Sequence, residues 1–460
     1  MTTRRQFIKQ TTHAVGGILL ANSALGNFFI GKKPKVIIIG AGFAGLAAAY
    51  HLYKNKIDFI ILEARNRIGG RVFSYPMDEK ENLVIELGAE WVGASHERLI
   101  QLCDEFKLEL FNNQFDTHLI YKGEYFNNQQ WSYSEEWKAK FAGIIDRYLK
   151  MPEPERKSLQ KKLDKTDWWH WLVQNGCTGR DLDIRELLDS TDFGESIRHV
   201  SACAAFTEYA ESSPKNEMDF KIRGGNSMLA KKIAEKIGED KIRLGKKVSI
   251  IYQDKTGVKI TCEDGEQFTG DKIICTVPGF SLKKIKWQPQ LPPEHLRAVN
   301  ELQYARINKN PLLFTERFWK DESFDMATDQ TPHYFYHATK NQPSQKGVLI
   351  SYTIGDKAVV IANQNDDWRA NNIQQTLSPF FGDVKKLLEK QVNYYWGNDE
   401  YSYGAYALYG VNQWFPVRKI LSKPYLHTHF AGEHLADWQG FMEGAINTGE
   451  EAAKILVKGI

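Results

Sequence analysis

The stretch that decides the fold runs from Lys35 to Val72 and reads KVIIIGAGFAGLAAAYHLYKNKIDFIILEARNRIGGRV. Its residues 36–39 are an unbroken β-branched run, which is typical of a strand buried on both faces. Apolar residues at helical spacing follow, and a second β-rich run over residues 59–62 ends at Glu63. This succession of a strand pattern, a helical pattern and a second strand pattern predicts one β-α-β unit of a parallel sheet.

The turn between the first strand and the helix carries the pattern GxGxxG. Gly40 permits a tight turn, Gly42 lets a pyrophosphate approach the backbone, and Gly45 lets helix and strand pack closely. Phe43 and Ala44 begin the helix, whose free N–H groups and positive dipole end would face the phosphates. The turn therefore predicts a dinucleotide site.

Glu63 stands at the end of the second strand, 18 residues after Gly45. A carboxylate there can accept hydrogen bonds from both ribose hydroxyls of adenosine. A second glycine turn with arginines follows over residues 64–71 and offers further donors and positive charge to a pyrophosphate. The candidate binding residues of this turn are Ala64, Arg65, Gly70 and Arg71. The nucleotide fingerprint by itself leaves NAD and FAD both open.

Two further blocks carry a resemblance to a known family. They are ELGAEWVG at residues 86–93 and HFAGEHLADWQGFMEGAINTGEEAAKIL at residues 429–456. With the glycine turns, they make the sequence similar to the flavin amine oxidases, which include monoamine, polyamine and L-amino-acid oxidases. The resemblance implies FAD as the dinucleotide. It adds these cofactor-binding candidates: Gly88, Ala89, Glu90, Trp91, Val248, Trp396, Gly432, Glu433, Phe441, Met442 and Ala445.

The chemistry of the C-terminal block can also be interpreted directly. Glu433 follows a strand end and can accept from ribityl or ribose hydroxyls. Residues 444–453 form a predicted helix whose N-terminus can point at the pyrimidine end of a flavin ring.

The expected fold class is α/β, with a discontinuous Rossmann-like FAD-binding domain and an α+β substrate-binding domain. At 460 residues the chain is long enough for two or three domains. The FAD-binding domain is predicted from residues 34–100, 218–288 and 397–460. The substrate domain is predicted from residues 101–217, which look helical, and residues 289–396.

The catalytic candidates follow from the same resemblance. Amine oxidation needs a neutral amine held against flavin N5 and little acid–base machinery, because the flavin accepts the hydride. Aromatic rings suit that positioning. The resemblance places Trp396 and Tyr406 near the ring and makes Tyr406 and Phe441 an aromatic pair. Packing of the core is the alternative explanation of these rings.

Lys309 lines up with the family lysine that holds a water against N5 and assists oxygen activation and imine hydrolysis. Asn310 and Pro311 interrupt the strand that should follow it. A solvated surface lysine is therefore the alternative.

Two departures from the family matter. Ala405 replaces the cysteine that monoamine oxidases bond to the flavin, so we expect FAD to be non-covalent. Residues 89–91 lack the arginine with which L-amino-acid oxidases clamp a carboxylate, although Arg98 or Arg223 could supply that charge from elsewhere. Glu90 could instead attract a second ammonium, which hints at a diamine.

The expected reaction is oxidation of a small amine to an imine, which hydrolyses to aldehyde or ketone plus ammonia. Oxygen, giving hydrogen peroxide, or another electron acceptor would take the electrons. Three alternatives stay open: an L-amino-acid oxidase with relocated carboxylate binding, a desaturase or porphyrinogen-type oxidase on the same FAD domain, and a catalytically silent FAD-binding module.

Composition excludes little but is informative. Sixty Lys+Arg against 57 Asp+Glu give a net charge of +3, which offers no electrostatic footprint for nucleic acid. Five separated cysteines predict neither a metal site nor a disulfide framework. Cys275 is expected in a buried strand.

The first thirty residues, 1–30, resemble a twin-arginine export signal. Arg4 and Arg5 precede a mildly apolar run from Ala14 to Ala24 that is shorter than a spanning helix needs. We therefore expect the export machinery as a partner, a periplasmic location, and no stable membrane insertion.

Overall fold

The structure is a computed structural model that describes residues 35–459. The predicted signal at residues 1–30 lies outside the described residues. Strands of the described part are β1 Lys35–Ile39, β2 Asp58–Leu62, β3 Ser74–Asp78, β4 Leu83–Glu86, β5 Leu110–Asn112, β6 Asp116–Tyr121, β7 Glu124–Phe126, β8 Phe220–Ile222, β9 Ile242–Arg243, β10 Val248–Asp254, β11 Gly257–Cys262, β12 Gln267–Gly270, β13 Lys272–Cys275, β14 Lys286–Gln288, β15 Gln303–Tyr304, β16 Ile307–Phe314, β17 Phe324–Thr328, β18 Tyr334–His337, β19 Gly347–Ile354, β20 Leu388–Gln391, β21 Tyr394–Tyr395, β22 Ala407–Leu408 and β23 Thr428–Phe430.

Helices of the same part are α1 Phe43–Lys54, α2 Glu97–Glu105, α3 Glu135–Lys150, α4 Glu153–Leu163, α5 Trp168–Gln174, α6 Gly179–Phe193, α7 Ala202–Glu211, α8 Ser227–Ile237, α9 Gly279–Leu282, α10 Pro293–Glu301, α11 Gly355–Ala362, α12 Asp366–Phe381, α13 Pro416–Leu421 and α14 Met442–Lys458. Short 3-10 helices lie at Ile197–His199, Glu239–Lys241, Val384–Leu387, Trp396–Asn398 and Glu433–Leu435.

A five-stranded parallel sheet has the order β23-β13-β1-β2-β9. Ile38 of β1 pairs with Ile61 of β2 and Ile274 of β13, and all three are fully buried. The sheet draws strands from the beginning, middle and end of the described chain. This arrangement confirms the predicted α/β class, and Cys275 lies buried in β13 as expected. The exact domain boundaries stay a prediction.

Helices α1 and α14 cross in close contact on this sheet. A Cβ at Gly449 of α14 would lie 2.0 Å from the carbonyl oxygen of Ala44 in α1. Only glycine lets the two backbones approach this far. Helix α14 begins at Met442, two residues before the predicted start, and Phe441 is its N-cap residue.

A second, larger sheet has the order β20-β16-β19-β18-β17-β6-β7, with β21 also paired to β16. Its strands β6 and β7 correct the prediction that residues 101–217 are helical, since β5, β6 and β7 all fall there. Lys122 and Gly123, both with positive φ, form the two-residue turn between β6 and β7. Helices α3 to α7 occupy the rest of the segment.

Pro311 lies inside strand β16, which is buried throughout. Beside β16 on one edge, strands β20 and β21 pair only with its two ends. The side-chain amide of Asn310 donates to the carbonyl of Val392 over 2.7 Å and bridges that gap. The sheet therefore accommodates both residues, and the strand continues past Lys309.

No helix within residues 35–459 is both long enough and apolar enough to cross a bilayer.

Candidate active site

A cavity of about 680 Å³ runs from the turn after β1 to the large sheet. It collects residues from all three pieces of the predicted FAD-binding domain and from both pieces of the predicted substrate domain. The predicted site residues that line it are Gly40, Gly42, Phe43, Ala44, Glu63, Ala64, Arg65, Gly70, Arg71, Gly88, Ala89, Glu90, Trp91, Val248, Lys309, Trp396, Tyr406, Gly432, Glu433, Phe441, Met442 and Ala445.

Gly45 has a packing role behind the cavity wall. A Cβ at this position would lie 2.0 Å from the carbonyl oxygen of Gly40, so any side chain would push α1 away from β1. Gly40 itself has φ +103°, which favours glycine. These two glycines set the position of the α1 N-terminus at the cavity.

The two glycine turns touch each other. Gly42 and Gly69 form an isolated parallel bridge, and a Cβ at Gly70 would lie 3.2 Å from the Cα of Gly42. The bare backbone around Gly42 and Gly70 lines the cavity beside the first turn of α1. Such a cradle fits a pyrophosphate.

Glu63 ends β2 with only 6% of its surface exposed. Oε2 accepts from the N–H of Ala41 over 2.6 Å, and Oε1 accepts from the N–H of Arg65 over 2.8 Å. Burial raises the pKa of this carboxyl, while the two backbone donors oppose the rise. Each carboxylate oxygen retains acceptor capacity for a ribose hydroxyl.

Two arginines of the second turn, Arg65 and Arg71, are paired with carboxylates within the protein. Arg65 makes a two-pronged bond to Asp399, at 2.8 and 2.6 Å. Arg71 donates to Glu433 over 2.7 Å and to the carbonyl of Ala405 over 3.1 Å. Both arginines line the cavity, so the predicted positive charge for a pyrophosphate stays a prediction, and each guanidinium group already has a carboxylate partner. These guanidinium groups tie the N-terminal turn to the C-terminal segment.

Glu433 is likewise held by several hydrogen-bond donors within the protein. Besides Arg71, it accepts from the N–H of Gly440 over 2.8 Å and from that of Ala407 over 3.2 Å. Its carboxylate organises the loops on either side of the cavity as well as lining it.

Lys309 is buried, with 4% of its surface exposed. Its ammonium donates to the carbonyls of Gly88 and Glu86 over 2.8 and 3.1 Å and lies 3.4 Å from Oε2 of Glu90. Burial lowers the pKa of Lys309, and the neighbouring carboxylates of Glu90 and Glu86 oppose that change. The structure therefore rules out the surface alternative for this residue.

Glu90 already has cationic partners. Lys221 donates to Oε1 over 2.7 Å and Tyr336 donates to Oε2 over 3.0 Å, all within the protein interior. Because Lys221 and Lys309 compensate its charge, Glu90 offers little to a second ammonium. The structure therefore does not support Glu90 as the group that attracts the second ammonium of a diamine.

Nearby Glu86 belongs to the same buried group. It accepts from the Ser74 hydroxyl over 2.8 Å and from the N–H of Asn226 over 2.8 Å. Burial raises the pKa of Glu86 to about 7, against the pull of Lys221.

The predicted aromatic residues lie around one end of the cavity. Trp396 donates from its indole to the carbonyl of Leu87 over 2.8 Å. Tyr406 donates to the backbone carbonyl of Asp192 over 2.7 Å, and its hydroxyl lies 3.3 Å from that of Tyr352. A Cβ at Gly440 would lie 3.3 Å from the Tyr406 ring. The orientation of Tyr406 is thus fixed at both its hydroxyl and its ring.

Phe441 lines the same cavity at the start of α14. Its ring lies 5.0 Å, centroid to centroid, from His96 and 5.7 Å from Trp438, with both rings edge-on to it. Tyr406 and Phe441 thus line the same cavity, each supported by its own neighbours, and their role as an aromatic pair stays a prediction.

Sequence reasoning missed a group of polar residues that line this cavity. They lie on helices and strands whose patterns look like ordinary core, and no motif marks them: Arg185, Asp189, Asp192, Tyr209, Asp325, Tyr334 and Tyr352. Only the tertiary fold brings α6, α7 and β17 to β19 to the same cavity.

The two arginines considered as alternative partners for a substrate carboxylate lie outside the cavity. Arg98 pairs with Glu450 over 2.7 Å, and Arg223 pairs with Glu109 over 2.6 Å. Neither arginine lines the cavity. Within residues 35–459, no cluster of three or more His, Cys, Asp or Glu could hold a metal ion.

One end of the cavity thus has a glycine cradle and a ribose-type carboxylate, and the other end has aromatic and polar side chains. The cradle, which any Cβ at Gly70 would narrow, fits a dinucleotide such as FAD. Fold and site together define a dinucleotide-binding oxidoreductase.

Comparison with known proteins gives the family. The family model described as flavin containing amine oxidoreductase matches residues 43–457. The chain belongs to this family, and a flavin is the cofactor that the family carries.

Individual relatives are distant but cover nearly the whole chain. The probable flavin-containing monoamine oxidase A of Dictyostelium discoideum is 24% identical over 452 residues, 91% of this chain and 96% of that protein. The L-amino acid dehydrogenase of Synechocystis sp. is 24% identical over 453 residues, 92% of this chain and 94% of that protein. Putrescine oxidase bound to putrescine has the same fold, with a TM-score of 0.82, 22% identity, and coverage of 93% of this chain and 99% of that chain.

Proposed function

We propose that this protein is an FAD-dependent amine oxidase. It would convert an amine to an imine, which water hydrolyses to an aldehyde or ketone plus ammonia. FAD, when bound, would supply the hydride acceptor. The supporting observation is that Lys309 and the aromatic residues Tyr406 and Trp396 line the same cavity as the glycine cradle.

The role of Tyr406 would be to orient a neutral amine. Its ring is fixed by the hydrogen bond to the Asp192 carbonyl and by the backbone at Gly440. Burial raises the pKa of Tyr406 well above its ordinary value, so the phenol stays protonated at neutral pH. A fixed, uncharged ring can position an amine and exclude water without favouring its ammonium form through a full negative charge.

Lys309 would act on water and oxygen. Two backbone carbonyls fix its ammonium on the cavity wall. Burial lowers the pKa of Lys309, and a fixed amine of lowered pKa can hold a water molecule and exchange a proton with it more readily than an ordinary lysine. We propose oxygen as the electron acceptor and hydrogen peroxide as the second product.

FAD binding is proposed to be non-covalent. Ala405 lines the cavity and has no nucleophilic atom to bond the flavin. Acid precipitation of the holoprotein should therefore release all yellow colour into the supernatant. Colour that stays in the pellet would contradict this part of the proposal.

L-Amino-acid oxidation is the second candidate. An L-amino acid dehydrogenase is among the relatives, and Arg185 places one guanidinium on the cavity wall. That arginine already pairs with Asp189 over 3.1 Å, which favours amines over α-amino acids.

The test is anaerobic mixing of the FAD-loaded protein with a panel of amines and the corresponding α-amino acids. Bleaching of the visible flavin bands by amines supports the proposal. Bleaching by amino acids alone would select the second candidate, and bleaching by neither would reject both.

We also propose export by the twin-arginine route, on the strength of Arg4 and Arg5 ahead of the apolar run. Replacement of both by lysine should keep the protein in the cytoplasmic fraction. An unchanged distribution of the protein between cell fractions would reject the proposed export signal.

A further inference from the structure

The substrate end of the cavity contains an acidic chamber, which we define by Asp192, Tyr209, Asp325, Tyr334 and Tyr352. These residues belong to helices α6 and α7 and strands β17, β18 and β19, and all of them line the cavity. The chamber adjoins Tyr406, whose hydroxyl contacts that of Tyr352. It therefore continues from the ring that we assign to amine positioning.

Asp192 is held by neutral donors only. Its Oδ2 accepts from the Tyr209 hydroxyl over 2.7 Å and from the Asn216 amide over 2.9 Å. Among residues 35–459, its Oδ1 has no hydrogen-bond partner. Part of the side chain remains accessible at the cavity wall.

Asp325, the second carboxylate of the chamber, is fully buried. Its Oδ2 accepts from the hydroxyls of Tyr334 and Thr117, whereas its Oδ1 has no hydrogen-bond partner among residues 35–459. The nearby cation Lys215 forms its ion pair with Asp116, at 3.6 Å. Both chamber carboxylates thus lack a salt-bridge partner within the described chain.

Such carboxylates are costly without a counter-charge. An ionised carboxylate in a protein interior is strongly destabilised unless a cation or several donors compensate it. Burial accordingly raises the pKa of Asp192 and that of Asp325 to about 7 each. A cationic ligand in the chamber would supply the missing charge.

The cationic residue of the chamber wall does not fill this role. Arg185 pairs with Asp189, and its guanidinium lies over the rings of Phe141 and Tyr209, at 4.7 and 4.8 Å from their centroids. Its charge is thus already matched by one carboxylate. The carboxylates of Asp192 and Asp325 therefore have no compensating cation among the residues that line the chamber.

We infer that the acidic chamber binds a second ammonium group, so that the substrate is a diamine or a longer polyamine. One amine would lie at the Tyr406 end, and the distal ammonium would lie against Asp192, with Asp325 deeper in the wall. This inference rests on the proposed amine oxidase function and names its substrate class. A substrate α-carboxylate would meet like charge in the same chamber.

Binding without turnover gives the cleanest test. We would reduce the FAD-loaded protein anaerobically and titrate it by calorimetry with hexylamine and with hexamethylenediamine, which share one carbon chain. An ammonium–carboxylate pair in a desolvated site should make the diamine bind about tenfold or more tightly. Equal affinities for the diamine and the monoamine would overturn the inference.

Variants identify the carboxylates responsible. Asp192→Asn keeps an acceptor for Tyr209 and Asn216 but removes the charge, so it should reduce the diamine advantage about tenfold. Asp325→Asn should reduce it by a smaller factor. Asp183→Asn is the matched control, because Asp183 lies on the same helix and is exposed. An advantage that persists in both Asn variants would overturn the assignment.

The two proposals fail differently. If hexylamine bleaches the oxidised flavin but hexamethylenediamine has no advantage in binding, only the second-ammonium inference fails. If neither amine bleaches the flavin while amino acids do, the proposed function fails with it, and Arg185 becomes the anchor to examine.

Discussion

Lys221 and Glu90 form an ion pair of 2.7 Å in the protein interior, where each side chain is at most 3% exposed. Glu90 contacts Lys309 with its other oxygen, so three charged side chains share one buried group. Two ammonium groups thus face one carboxylate, with Glu86 close by. The charge state of Lys309 therefore depends on partners from two separate chain segments, residues 86–90 and strand β8.

Lys221→Met should destabilise the protein. It removes the partner of Oε1 and leaves Glu90 buried with less compensation, at a cost of about 3 kcal/mol. We expect the thermal midpoint to fall by about 3 °C. Glu90→Gln combined with Lys221→Met should restore much of the loss. Lys232→Met, at an exposed helix position, is the control. If both lysine variants behave alike, the buried pair contributes nothing.

Lys309→Met should slow reoxidation of the reduced protein by oxygen at least tenfold, on the order of the effect of removing a positioned proton donor. FAD affinity should change much less, because the lysine contacts the carbonyls of Gly88 and Glu86 rather than the glycine cradle. Stopped-flow absorbance measures the first quantity and FAD titration measures the second. Unchanged reoxidation in this variant would refute the role.

Glu63→Ala should yield largely colourless protein. It removes the proposed ribose acceptor and leaves the N–H groups of Ala41 and Arg65 unpaired, so FAD should bind about 100-fold more weakly. The ratio of flavin to protein absorbance after purification measures this. Glu79→Gln, at an exposed position, should keep full colour. Full retention of flavin in Glu63→Ala would count against the ribose assignment.

The acidic chamber also predicts how stability depends on pH. Asp192 has an ordinary pKa of 3.8 and a folded pKa of about 7. The folded state therefore holds a proton that the unfolded state has lost, and this group reduces stability as pH rises from about 4 to about 7. Asp192→Asn should accordingly be more stable than the parent at pH 8, by at most about 4 kcal/mol, the free energy of a shift of about three pKa units. The gain should vanish near pH 4.

Denaturation midpoints of the ligand-free protein across that range measure this effect. Asp183→Asn should show no such pH-dependent gain. If the difference in stability between Asp192→Asn and the parent is the same at pH 8 as near pH 4, then the carboxyl of Asp192 is ionised in the folded protein without cost.

The fold could be predicted because its signals are local. The β-branched run at residues 36–39 and the glycine turn specify strand, turn and helix within a few residues. Lys309 could be predicted only from the family likeness, since Asn310 and Pro311 argue against a strand. What that reasoning lacked was the hydrogen bond that the Asn310 side-chain amide donates to the Val392 carbonyl, which compensates for the proline.

The rest of the site depends on contacts between distant residues. Arg65 meets Asp399 across 334 positions, and Arg71 meets Glu433 across 362. No periodicity in sequence encodes such a pair. Asp192 and Asp325 sit in segments whose apolar neighbours look like core, and only the packing of α6 against β17 shows that both lack a cation.

The crossing of α1 and α14 has a consequence for biosynthesis. The wall that Met442 and Ala445 complete cannot form until these residues have been synthesised, about 400 residues after the glycine turn at residues 40–45. Nascent chains halted before Gly449 would expose the face of α1 that this helix covers. A chain that stopped before this helix would lack part of the cavity wall, so we expect it to retain little cofactor.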